Sequence, residues 1–179
     1  MKIDLKRSVK IVGELTMEKL DIFFEKATAL THQDSTAPIT FFIASRGGSI
    51  DMGFTMYDAL KSILRVPLYT VGIGNVHSMA ILLLTMGEKR FLTPNTTLFF
   101  HEFLRTFDRD EHHACSSLLD IGKNLYARQK TYADIIAKAT DGMSTSQVMR
   151  LMKKEYDMSA QEAVSLGFAE MIDEKFTFF

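Results

Sequence analysis

The segment PLYTVGIGNVHSMAILLLTMG, Pro67 to Gly87, decides how the chain is read. PLYTVGIG is β-rich, apolar and closed by glycines, which predicts a strand. The apolar run from Met79 is compact and predicts a buried helix. Ser78 stands at the border. In open α/β sheets ligands gather beyond the carboxyl ends of the strands, where the free N–H groups of a following helix also point. A serine at that border is either a helix cap or a nucleophile.

The same alternation runs outward in both directions. VKIVG, ITFFIAS, KRFLT and TTLFFHEF read as further strands. Leu20, Phe23, Phe24, Ala27 and Leu30 recur at helical spacing behind the cap candidate Thr16. Met52, Met56, Leu60 and Leu64 mark a second helix after the turn SRGGS. This is the signature of an α/β fold with crossover connections. From about Asp110 to Ala139, Leu118, Leu125, Tyr132 and Ala139 recur every seven residues beside Ile121 and Ile135, predicting one long amphipathic helix that projects and packs on another subunit. Ser144 with Gln147, and Ser159 with Glu162, are capping-box pairs opening two shorter helices.

With 179 residues, 46% of them hydrophobic, and no Pro/Gly/Ser-rich linker, the chain is expected to be one domain. A formal charge of −1 without a basic, aromatic-interleaved cluster argues against a nucleic-acid partner. MKIDLKRSVKIVG carries charge throughout and does not read as a signal peptide. MAILLLTM is too short to cross a bilayer, so no membrane association is expected. Cys115 is the sole cysteine, which excludes an internal disulfide and suits a reducing, cytoplasmic compartment; it is expected to be a structural thiol.

A serine hydroxyl needs a base, an orienting group for that base, and donors for an oxyanion. Among five histidines His101 is the best placed, near the end of a strand that can run beside the one leading to Ser78. His77 adjoins Ser78 but points away, and is expected to line or flank the site. The glycines of SRGGS let the backbone approach a ligand, and Met79 opens a helix, so the amides of Gly48 and Met79 are assigned to the oxyanion. Asp108 and His112 share a helix face in the expected long helix, but no third ligand accompanies them; they are read as first-turn helix chemistry, with no metal.

These residues resemble the Clp protease proteolytic subunit (ClpP) family. The resemblance is carried by SRGGS, GNVHSMA, PNTTLFFHEF and MSAQEAVSLGFAEMID, in that order, between about Arg7 and Asp173. It implies a crotonase/ClpP-like fold of repeated β-β-α units over residues 1–179, with the long helix as a protruding handle. It implies a serine endopeptidase without cofactor, acting on peptides or unfolded proteins through an acyl-enzyme on Ser78, with His101 as general base and Gly48 and Met79 as oxyanion donors. It further implies a homo-oligomer of seven-membered rings stacked as a tetradecamer, and a Clp-type ATPase partner. The last implication is the weaker, because few residues precede VKIVG where the family has a longer pore-gating segment.

The chain departs from the family pattern at several points. Glu155 stands at the place of the triad aspartate, with Asp157 as the alternative third member and Glu102 behind both. Arg46 replaces a proline, His77 a small residue, and Phe103 the proline after the base. These departures leave open a catalytically inactive or weakly active ring subunit. A crotonase-type thioester enzyme is a further alternative, but it leaves the Ser78 and His101 pair without a task.

Overall fold

The computed structural model describes residues 2–179. The elements run β1 (Lys2–Ile3), β2 (Ser8–Val12), α1 (Met17–Gln33), β3 (Ile39–Ser45), α2 (Ile50–Asp58), β4 (Leu68–His77), α3 (Met79–Leu84), β5 (Lys89–Leu92) and β6 (Thr97–Phe100). They continue with α4 (Cys115–Ala139), α5 (Thr145–Lys153), β7 (Tyr156–Ser159), α6 (Ala160–Ser165), β8 (Glu170–Met171) and β9 (Thr177–Phe178). A π-helical turn over Ala59–Ile63 prolongs α2. The result is an α/β fold.

The main sheet is parallel in the order β2-β3-β4-β5-β8, and β1 pairs with β9 apart from it. Strand β4 is the pivot. Its first half, Tyr69 to Gly72, pairs with β5, and its last three residues, Asn75 to His77, pair instead with β6. Between them the chain bends at Gly72-Ile73-Gly74. Gly74 is left-handed at φ +59, and the Gly72 carbonyl closes the β4–β5 ladder by accepting both the Thr93 N–H at 3.1 Å and the Thr96 hydroxyl at 3.0 Å. β7 then adds antiparallel to β6. The end of β4 thus stays beside β3, where Val76 pairs with Ser45, and exchanges β5 for β6 and β7 on its other side, all within one seven-stranded sheet.

α3 is buried over its whole length, Met79 to Leu84. Burying aliphatic side chains of this size stabilises by roughly 2 kcal/mol each, so the helix that Ser78 opens is anchored by its own core. Gly53 on α2 makes room for the Met79 side chain, which a Cβ there would strike.

Four expectations are adjusted. The long helix begins at Cys115, not at about 110, because the Glu111 carboxylate captures the Asp108 N–H at 3.0 Å and closes a separate turn ahead of it. Asp108 and His112 therefore share no helix face. Cys115 is exposed rather than structural. The seven-residue stripe is split: Tyr132 is buried in the domain's own core and Leu125 packs against it, whereas Leu118 is exposed beside Leu119 and Tyr126. The Ser144 and Gln147 capping box forms in full; in the second pair Ser159 caps Glu162, but the Glu162 carboxylate accepts from the Tyr156 hydroxyl instead.

Candidate active site

Ser78 lies at the sharp turn from β4 into α3, with φ +53 and ψ −127. L residues rarely adopt this region, at a cost of about 1–3 kcal/mol. It persists because the neighbours over-determine it. The Ser78 N–H donates to the Phe99 carbonyl at 2.8 Å, and its own carbonyl accepts from the Ile81 N–H at 3.0 Å and the Tyr132 hydroxyl at 2.9 Å. The side chain makes no capping hydrogen bond. Of the two readings of this serine, helix cap or nucleophile, the geometry removes the first.

Gly47 comes up against this turn, and Gly48 packs beside Leu15. A Cβ on Gly47, itself at φ +94, would lie 2.9 Å from the Ser78 Cβ and 3.1 Å from the Met79 nitrogen. Only glycine fits there. Met79 is the first residue of α3, so its N–H lacks an intrahelical partner.

His101 follows the last residue of β6, whose Phe99 is the rung partner of His77 on β4. The parallel pairing brings both strand ends to one place. A cleft of about 560 Å³ is lined by Gly48, Ser78 and His101 together with the apolar Phe103, Ile121 and Leu125, and Arg128 pairs with Asp51 at its wall. A larger hollow of about 770 Å³, over Val12, Glu14, Arg46 and Ile73, contains neither Ser78 nor His101.

His101 Nδ1 lies 2.7 Å from the Glu102 carbonyl oxygen. A carbonyl can only accept, so Nδ1 carries the proton and Nε2 is left as the basic nitrogen. The expected carboxylate is not engaged. Extending the β6–β7 register by one rung sets Glu155 opposite His101, because Phe100 pairs with Tyr156. Yet Glu155 turns out of the ladder at φ +51 and is exposed; among the described residues its carboxylate bonds nothing. Asp157 pairs with Phe99 on the same face, and its charge acts on His77. Glu102 contributes its main chain and not its side chain.

His77 flanks the site, its Nε2 3.0 Å from the Thr97 hydroxyl and its ring edge-on to Phe99. Burial lowers its pKa most; Asp157 opposes this, while Arg46 and His101 add to the lowering. Arg46 itself is exposed at the end of β3. Two features had no clear signal in the sequence: the main-chain acceptor for His101, and the Tyr132 hydroxyl under the nucleophile. Tyr132 was legible only as a member of an apolar stripe.

Among the described residues no helix is long and apolar enough to cross a membrane, and no group of three or more His, Cys, Asp or Glu side chains is placed to hold a metal. The family model for the Clp protease matches residues 2–175. A search of curated proteins finds the ATP-dependent Clp protease proteolytic subunit 1 of Leifsonia xyli subsp. xyli, 31% identical over 94% of this chain and 83% of that one. It also finds the ATP-dependent Clp protease proteolytic subunit 2 of Borreliella burgdorferi, 31% identical over 98% of this chain and 88% of that one. The proteolytic subunit of Dehalococcoides mccartyi is 26% identical over 96% and 84% respectively. A strained serine at a strand-to-helix turn, a histidine with its basic nitrogen free beside it and relatives matched along nearly their whole length lead to one conclusion: the chain belongs to the Clp protease family, and it is a ClpP-like serine peptidase.

Proposed function

We propose that Ser78 is the nucleophile of this peptidase and His101 its general base, with the N–H groups of Gly48 and Met79 as oxyanion donors. The observation that carries the assignment is the shared cleft in which Ser78 and Gly48 meet a histidine already held in the Nδ1-protonated form. A peptide carbonyl enters beside Ser78. As Oγ attacks, Nε2 takes the hydroxyl proton, and the carbonyl oxygen gathers negative charge between the two amides. Collapse of the tetrahedral species breaks the C–N bond, and the leaving amine takes the proton from Nε2. A water activated by the same nitrogen then releases the acyl group from Ser78. The Glu102 carbonyl fixes the tautomer, and Glu155, at the register position opposite His101, is the candidate third member with Asp157 as its alternative.

The relatives are named as proteolytic subunits of ATP-dependent proteases. By the same likeness the substrate here is an unfolded chain, delivered by a Clp-type ATPase to stacked seven-membered rings. The sole cysteine suits a cytoplasmic setting. A fluorophosphonate probe tests the chemistry. The wild-type protein takes one label per chain and Ser78→Ala takes none while keeping its fold. An assembled wild-type protein that stays unlabelled is an inactive ring subunit.

A further inference from the structure

We propose that Tyr132 is a positioning residue of the oxyanion hole: its hydroxyl, reaching from α4, holds the Ser78 carbonyl and thereby aims the N–H at the other end of the same peptide, that of Met79. The inference rests on the serine-peptidase reading of the Ser78 cleft and adds to it a residue remote from the cleft surface.

A peptide unit is rigid and planar, and none in the described chain is cis. In a trans unit the carbonyl and the N–H point in opposite directions. Whatever fixes the Ser78 carbonyl therefore fixes the direction of the Met79 N–H. Tyr132 is 1% exposed, and its hydroxyl donates to that carbonyl at 2.9 Å. Burial pushes the pKa of the hydroxyl far above the ordinary tyrosine value, so it remains a donor throughout the neutral range. The Ile81 N–H takes the other lone pair of the carbonyl. With φ +53 at Ser78, the peptide sits in a conformation that relaxes unless it is held at both ends.

A buried tyrosine needs some acceptor, and many carbonyls would serve. The choice of this one is reinforced one turn earlier on α4. Gln129, 5% exposed, accepts the Phe103 N–H at 2.8 Å, and the Phe103 ring packs edge-on against Tyr132 at 5.4 Å. Phe103 stands where a proline follows the base in the family pattern, and proline has no N–H to give. The replacement at 103 and the pair Gln129 and Tyr132 thus make one device. A single turn of α4 grips the chain just after the base and just after the nucleophile.

The test is Tyr132→Phe, measured with a fluorogenic peptide and a peptidyl boronic acid, whose tetrahedral adduct with a serine places oxygen in the oxyanion hole. The expected result is a fall in kcat of about ten- to a hundredfold, somewhat less than the loss of an oxyanion donor outright. KM stays within about twofold, boronate affinity weakens by the same factor as kcat, and the acid limb of the pH profile does not move. An unchanged kcat, or a loss shared with KM or with a shifted acid limb, overturns the proposal. If the phenylalanine variant does not fold, 4-aminophenylalanine at 132, a weaker donor of the same length, is read the same way. A wild-type protein that neither turns over nor takes the fluorophosphonate removes the peptidase reading and this inference with it. An active wild type with an equally active Tyr132→Phe removes this inference alone.

Discussion

At the scale of single residues, the site depends on which atom holds the Nδ1 proton of His101. The Glu102 carbonyl does so at 2.7 Å, so Glu155→Gln is expected to lower kcat by less than about tenfold. A fall near the ~10⁴ that accompanies loss of a true triad orienter would assign Glu155 that role. His77 gives a second expectation. Its folded pKa lies below the ordinary histidine value of 6.5, chiefly through burial. Between the two values the unfolded chain binds more protons than the folded one, so stability rises with pH through that window and is lost as pH falls below about 6.5. Urea midpoints for wild type should therefore drop between pH 7.5 and pH 5.5, and by less in His77→Asn, which keeps a partner for Thr97. Equal drops would mean that the slope originates elsewhere. That Ser78 opens a helix at a strand end and that His101 lies near the end of the neighbouring strand was legible from sequence, because strand ends and helix starts announce themselves through periodicity. The tautomer was not, because a main-chain acceptor leaves no trace in residue identity.

At the scale of elements, the exchange of partners along β4 brings Ser78 into one cleft with His101. Periodicity predicted the strand over PLYTVGIG, but the strand runs on to His77 and changes partner at its glycines. Exchange of partners is a tertiary event that no local pattern encodes. The expected strand through His101 likewise stops at Phe100, because the ladder with β4 ends at the rung joining His77 and Phe99. The glycines around the bend in β4 differ in a way that can be measured. Gly74 at φ +59 has open space where a Cβ would go, and Gly47 at φ +94 does not. Gly74→Ala should cost about 1 kcal/mol for the left-handed backbone alone. Gly47→Ala should cost about 2 kcal/mol or more and remove most activity, since its Cβ would displace Ser78. Urea unfolding and peptide turnover on both variants check this. Equal costs would show that the contact with the Ser78 turn is slack.

At the scale of the whole molecule, α4 has two halves with different work. The carboxyl half buries Tyr132, Ala133 and Ile136 in the core and grips both catalytic strand ends. The amino half leaves Leu118 at 46% exposure, Leu119 at 58% and Tyr126 at 62%. A Cβ on Gly122, between them, would meet nothing within 4 Å. The seven-residue period read from sequence merged these halves, because spacing records a helix face without saying which of its neighbours comes from the same chain. Apolar side chains grouped on a projecting helix mark a surface that a partner covers, and a second copy of this helix is the partner that the family likeness supports. Leu118→Glu with Leu119→Glu should then reduce the mass of the assembly in light scattering without lowering the unfolding midpoint of the separated subunit. Leu125 is unsuitable for this purpose, since it lines the cleft itself. Because the same helix holds the Ser78 carbonyl through Tyr132, release of its amino half should also slow labelling of Ser78 by the fluorophosphonate. An unchanged mass would place the contact between copies on another face, and a reduced mass with undiminished labelling would show that the grip on Ser78 is independent of assembly.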